Sequence, residues 1–161
     1  MYAAIEGQRW AHIVPGRNTS RTLADGEYKR LASFRYALRS FLHFSELAAA
    51  TVGLTGQQYQ ALLFVRSRAD RTPVSINDLA NELLIRHNSA VGLVDRLTHE
   101  GLVERSPSSV DRRKVELHLS SRGRQALGKL ATMHRDELRR IGPIMKRFFS
   151  ELTTDRNKRV D

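Results

Sequence analysis

Two short runs hold the side chains with chemistry to offer. The first is Arg86, His87, Asn88, Ser89 and Gly92, with Arg96 one helical turn beyond; the second is Asp111-Arg112-Arg113-Lys114. Asn can pair with adenine, Ser can donate or accept, and Gly leaves room for a close approach to base edges. All are short enough not to obstruct docking in a groove. Arg96 is better placed for a phosphate or an intramolecular ion pair. The second run could place an arginine in an adjacent minor groove, where narrow A·T tracts carry enhanced negative potential, with Asp111 fixing its direction.

Catalytic chemistry is much harder to assemble from this chain. His12, His43, His87, His99, His118 and His134 are scattered, and none forms an HExxH or a triad signature. Gly53 and Gly56 flank a helix cap rather than a strand-to-helix phosphate loop. Neither an enzyme nor a cofactor is expected. A metal-sensing variant that draws His and carboxylates from separate elements stays open, because such ligands need not be adjacent in sequence.

Composition agrees with an anionic partner. In 161 residues there are 27 Lys plus Arg against 17 Asp plus Glu, a formal charge of +10, which favours polyanions through counterion release. Double-stranded DNA is the first partner to consider and an acidic membrane surface the second. Cysteine is absent, so thiol switches and disulfides are excluded, as suits a cytoplasmic protein. No apolar run approaches the ~18 residues of a membrane span, and the first twenty residues lack the apolar core of a signal peptide.

The elements that must position these runs follow from periodicity. Residues 1–24 read as a flexible N-terminal arm. From Asp25 to near Gly53, Leu31, Phe34, Leu38, Phe41, Leu42 and Leu47 recur at helical spacing. Apolar side chains fall on more than one face there, which predicts contact with a second subunit. Thr55 with Gln58 forms a capping-box pattern before a helix carrying Tyr59, Leu62, Leu63 and Arg66 on one face. Thr72-Pro73 ends it, and Ser75 with Asp78 repeats the pattern before Ile76, Leu79, Ala80, Leu83 and Leu84. A helix from about Asn88 buries Ala90, Leu93, Val94 and Leu97 and ends at Gly101. Leu102 and Val103 begin a strand, Pro107 to Lys114 is a hairpin tip, and Val115, Leu117 and Leu119 alternate with polar residues as a second strand. Ser120 or Ser121 caps a fifth helix through Leu127, Leu130, Leu138 and Ile141. Gly142-Pro143 is expected to break it, and a sixth follows with Met145, Phe148, Phe149 and Leu152 on its apolar face.

Three short helices and a hairpin in this order describe a winged helix-turn-helix, whose second helix of the pair enters the major groove. A basic turn alone is ordinarily a solvated loop, and an amphipathic helix with a polar start is ordinarily core. Together, at this spacing and in a chain of this charge, they favour DNA. A sequence-tolerant architectural binder remains the other DNA-binding alternative.

The stretches LTGQQYQALL, SINDLANEL, SAVGLVDRLTHEGLVER and DRRKVELHLSSRG, covering Leu54 to about Leu127, resemble the multiple antibiotic resistance regulator (MarR) family of bacterial winged-helix transcription factors. The resemblance implies a mainly α fold with a small β-hairpin (α+β). Residues 25–161 would form one domain, with 54–119 the winged lobe and 25–53 and 120–161 the dimerisation helices. It implies a homodimer on a near-palindromic operator, acting as a repressor. Carried onto this sequence, His87, Asn88, Ser89, Val91 and Gly92 take base-reading positions, and Arg112 or Arg113 is the wing arginine. Ser75, opening the third helix, is counted with the DNA-facing set. Family members often respond to small aromatic or phenolic effectors, for which Arg39, His43, Tyr59 and Leu63 are the candidates by position.

Overall fold

The computed structural model describes residues 24–69, 73–108 and 115–157, the last seven by backbone alone. The expected arm, apart from Ala24, and the whole of Asp111 to Lys114 lie outside the described residues. The described elements are helices α1 (Asp25–Ala50), α2 (Gly56–Arg68), α3 (Ile76–Glu82) and α4 (His87–His99), strands β1 (Val103–Pro107) and β2 (Val115–Leu119), and helix α5 (Ser121–Asn157). The chain divides into two units between Ala32 and Ser33. Of the first, only residues 24–32 are described, where the Glu27 carboxylate accepts from the Ala24 amide at 2.9 Å. The rest of α1, from Ser33 onward, belongs to the second unit together with every later element.

Local chemistry sets the helix ends. Thr55 and Gln58 form the reciprocal cap of α2, and Ser75 and Asp78 that of α3, so both capping signatures form as read. At the end of α4, Gly101 takes φ +67°. The Leu102 amide returns to Leu97 O at 2.9 Å and the Gly101 amide to Thr98 O at 3.0 Å, the paired bonds of a Schellman motif. The same motif closes α3, where Ile85 N reaches Ala80 O at 3.0 Å and Leu84 N reaches Asn81 O at 3.4 Å. There the left-handed residue is Leu84, at φ +57° and 63% exposed. Leu84, which the sequence groups with the apolar residues of this helix, lies beyond its end, and the motif's reversal turns its side chain to solvent.

The core gathers Leu54, Tyr59, Leu62, Leu79, Leu93, Val94, Leu97, Leu102, Leu117 and Leu130, among others, from α2, α3, α4, the hairpin and α5. The strands are antiparallel, pairing Val103 with Leu119 and Pro107 with Val115, and Val74 adds a bridge to Leu117 that periodicity does not show. Leu63 does not share the buried face of Tyr59 and Leu62; it points outward. In α1 the buried and half-buried positions include Phe34, Ala37, Phe41, Phe44, Ser45, Ala48 and Ala49, while Leu38, Leu42 and Leu47 are exposed. The second apolar face expected of α1 is present and uncovered in the single chain.

α5 departs most from expectation. Gly142-Pro143 does not divide it; one helix runs from Ser121 to Asn157 with Pro143 inside. An internal proline costs about 3 kcal/mol through the lost amide and the ring clash. Here Pro143 lies on the exposed side, so the carbonyl it leaves without a helical partner can meet water. The buried face keeps a seven-residue spacing across it: Leu127, His134, Ile141 and Phe148 are all buried. Phe148 stacks on Phe34 of α1 with centroids 4.4 Å apart, so packing continues beyond the proline. Leu138 and Phe149, expected on the apolar face, are largely exposed because they fall out of that spacing.

Candidate nucleic-acid interface

One face of α4 is sealed and the start of the helix is open. Ala90, Leu93, Val94 and Leu97 are at most 1% exposed, while Arg86, His87, Asn88 and Ser89 are exposed and Val91 and Gly92 half-buried. Burial of four apolar side chains, at roughly 1.5 to 3 kcal/mol for each larger one, fixes the helix rotation. Rotation in turn decides that the polar first turn faces out. Arg86 is the N-cap and makes no side-chain cap hydrogen bond, unlike Thr55 and Ser75. The N-terminal dipole of α4 thus has no side-chain cap.

Arg96 lies along the same surface, its guanidinium 3.6 Å from where a Cβ on Gly92 would stand. An alanine at 92 would make only ordinary contact within the chain, so the fold itself does not require glycine there. Asp95 pairs with Arg105 of β1 at 2.5 Å, linking α4 to the hairpin. That pair is substantially exposed and contributes at most ~1 kcal/mol. Across the hairpin His118 Nε2 lies 3.0 Å from Ser106 Oγ.

Ser75 is half-buried. Its hydroxyl donates to Asp78 Oδ2 at 2.6 Å and accepts from the Asp78 amide at 3.2 Å, so it is first of all the cap of α3. The hairpin that would carry Asp111, Arg112, Arg113 and Lys114 is in place on both sides, and those four residues lie outside the described set.

The effector candidates do not share one environment. Arg39, His43 and Leu63 are exposed and Tyr59 is buried. Tyr59 stacks on a residue not singled out from sequence, His134, with centroids 4.2 Å apart. His134 is 5% exposed and lies edge-on to Phe41 and Phe44. Its Nδ1 is 2.8 Å from Leu130 O, and a carbonyl only accepts, so Nδ1 carries a proton. In the neutral ring Nε2 then accepts from the Ser45 hydroxyl, 2.9 Å away. Burial raises the Tyr59 phenol above its ordinary range. The signal for His134 was its place in phase with Leu127 and Ile141.

Among the described residues no three His, Cys, Asp or Glu side chains gather as metal ligands would, and no helix is long and apolar enough to cross a membrane.

Comparison with known proteins places this geometry. The MarR family model matches residues 52–114. A putative transcriptional regulatory protein for the hcr operon of Thauera aromatica is 30% identical over 105 residues, 64% of this chain and 61% of that protein. The chain therefore spans about six-tenths of that relative's length. AbsC, a MarR family transcriptional regulator from Streptomyces coelicolor, superposes with a TM-score of 0.67 at 23% identity, over 84% of this chain and 93% of its own. The Staphylococcus aureus MepR–DNA complex superposes with a TM-score of 0.63 at 14% identity, over 79% and 91%. These structures establish a shared fold, mainly helical with a two-stranded wing. The match to the MarR family model thus lies across α2, α3, α4 and β1, and the fold around them is the one these regulators share.

Proposed function

We propose that this chain is a sequence-specific DNA-binding transcriptional regulator that works as a homodimer on a near-palindromic operator. The observation that carries the reading is the two-sided character of α4: a sealed apolar face opposite an exposed first turn of Arg86, His87, Asn88 and Ser89. A helix presented in this way can enter a major groove, where Asn88 and Ser89 offer hydrogen bonds to base edges. The N-terminal dipole and the +10 charge favour the phosphates around them. Val91 and Gly92 border the groove, Arg96 meets the backbone, and Arg112 or Arg113 reaches the neighbouring minor groove. The kinship with the Thauera regulator supports a role at a promoter, and repression is the regulatory sense proposed.

The uncovered leucines of α1 supply the surface for a second copy. Two lobes related by a two-fold axis would then meet half-sites about one helical turn apart. Response to a small aromatic or phenolic effector would act on the region between α1 and the lobe, where Tyr59 is buried and Arg39, His43 and Leu63 are exposed. No enzymatic step is assigned: the family consists of transcription regulators.

The test is selection of bound fragments from genomic DNA, followed by the double variant N88A/S89A on the selected site and on random DNA. Loss of roughly 1 to 3 kcal/mol per base-reading residue on the selected site, with a smaller loss on random DNA, is expected. Equal loss on both would show that these residues only position the protein.

A further inference from the structure

The cap of α2 does more than start a helix. Gln58 Oε1 accepts from the Thr55 amide at 2.9 Å, which completes the reciprocal cap, and a glutamate would complete it equally well. A glutamate could not use the other end of the group. Gln58 Nε2 donates to both carboxylate oxygens of Glu100, at 3.1 and 3.0 Å, and Gln58 is 6% exposed. Glu100 is the C-cap of α4, where the negative end of the helix dipole opposes a carboxylate. The amide explains how a carboxylate is tolerated there, and the carboxylate explains why position 58 is Gln.

This contact belongs to a series of hydrogen bonds that hold the C-terminal end of α4. Glu46 of α1 accepts from the Gly56 amide at 2.9 Å. A Cβ on Gly56 would fall within 2.8 Å of that carboxylate, so glycine permits the approach of α1 to the first turn of α2. On the other side the Ser120 hydroxyl donates to Gly101 O at 2.6 Å, and the Ser120 amide donates to Leu102 O at 3.1 Å. The C-terminal end of α4 is thus held between the first turn of α2, itself held by α1, and the start of α5. Its N-terminal end rests on the core through Ala90 and turns its polar side chains outward.

We propose that Gln58 and Glu100 form a positioning joint that sets the direction of α4 relative to α1, and through it the half-site spacing the dimer accepts; the inference rests on the function proposed above. Geometry makes the joint sensitive. A helix the length of α4 is roughly 20 Å long, so a tilt of about 10° at its C-terminal end moves the first turn by about 3 Å. That is close to one base-pair step of ~3.4 Å. Small changes at the joint therefore become register changes at the groove.

The experiment uses the full chain with the selected site and with sites whose half-site separation is one base pair longer or shorter, alongside thermal unfolding. Q58E keeps the α2 cap and sets carboxylate against carboxylate. Q58E/E100Q keeps the cap and restores an amide-to-carboxylate contact with the roles exchanged. We expect Q58E to weaken binding to the selected spacing by roughly ten-fold while weakening the shifted spacings less, and the double variant to recover the parent's preference. An unchanged spacing preference in Q58E, whether affinity holds or falls equally on all sites, would overturn the joint. Should Q58E not fold, E100A takes its place: an altered preference supports the joint and an unaltered one overturns it. A parent protein that ignores DNA sequence altogether would instead remove the proposed function.

Discussion

Two glycines five residues apart in α5 should respond to the same substitution with opposite signs. Replacing a helical glycine by alanine ordinarily stabilises by up to about 1 kcal/mol, because glycine loses more backbone freedom on folding. Gly128 has nothing within 4 Å of the position a Cβ would take, so G128A should gain that amount. At Gly123 the same Cβ would stand 2.1 Å from Leu102 O and 3.0 Å from Leu102 C, both backbone atoms. Relief requires a shift of about 1 Å between α5 and the end of α4. Such a shift strains the two hydrogen bonds that cross the gap, from the Ser120 amide to Leu102 O at 3.1 Å and from the Ser120 hydroxyl to Gly101 O at 2.6 Å. At roughly 0.5 to 1.5 kcal/mol for each bond, and 1 to 3 for overpacking, the loss exceeds the propensity gain, and G123A should be less stable by about 1 to 3 kcal/mol. Urea unfolding followed by circular dichroism, compared at unchanged m-value, measures both variants. A G123A protein at least as stable as the parent would refute the close packing of α5 against the end of α4.

Other outcomes follow from particular residues. At Leu84, in the left-handed region with its side chain exposed, L84G should be more stable than L84A by about 0.5 to 1 kcal/mol, since only glycine relieves the backbone strain; the reverse order in chemical denaturation would deny that strain. Alanine at both Arg112 and Arg113 should weaken operator binding and reduce its salt slope, measured by titration at several ionic strengths; an unchanged slope would take the wing out of the contact. Burial should hold the phenol of Tyr59 protonated beyond the range in which an exposed tyrosine ionises. Because the unfolded chain loses that proton first, stability is untouched below about pH 10 and declines above it. Y59F should remove the latest phase of the tyrosinate absorbance titration, and an unaltered titration would contradict burial of that hydroxyl.

Local signals were legible in the sequence and distant ones were not. The caps at Thr55 and Ser75 and the turn at Gly101 depend on residues within a few positions and form as read; the alternation of β2 holds at Leu117 and Leu119 but not at Val115, which is exposed at the start of the strand. The first turn of α4 was legible because its polar start adjoins an unbroken apolar stripe. Pro143 misled because a local rule was applied where burial on the far side of the helix, ending in the Phe34–Phe148 stack, outweighs it. Leu84 and Leu63 misled because their apolar type says nothing of the backbone reversal or rotation that turns them outward. His134 escaped notice because its partner Ser45 is 89 residues away, and no spacing rule connects α1 to α5. Glu100 and Gln58 meet across 42 residues, so their pairing was equally hidden although one half of it, the cap, was plain.

The claim on which the rest depends is that α4 reads base sequence. Its most direct test is a competition titration of the parent protein at physiological salt, between the selected site and a duplex of the same length and composition with the half-sites scrambled. Base reading by a dimer predicts two chains bound per selected site and a preference of at least ~10³ for it. Equal affinity for the two duplexes, with the same salt dependence on each, would contradict it.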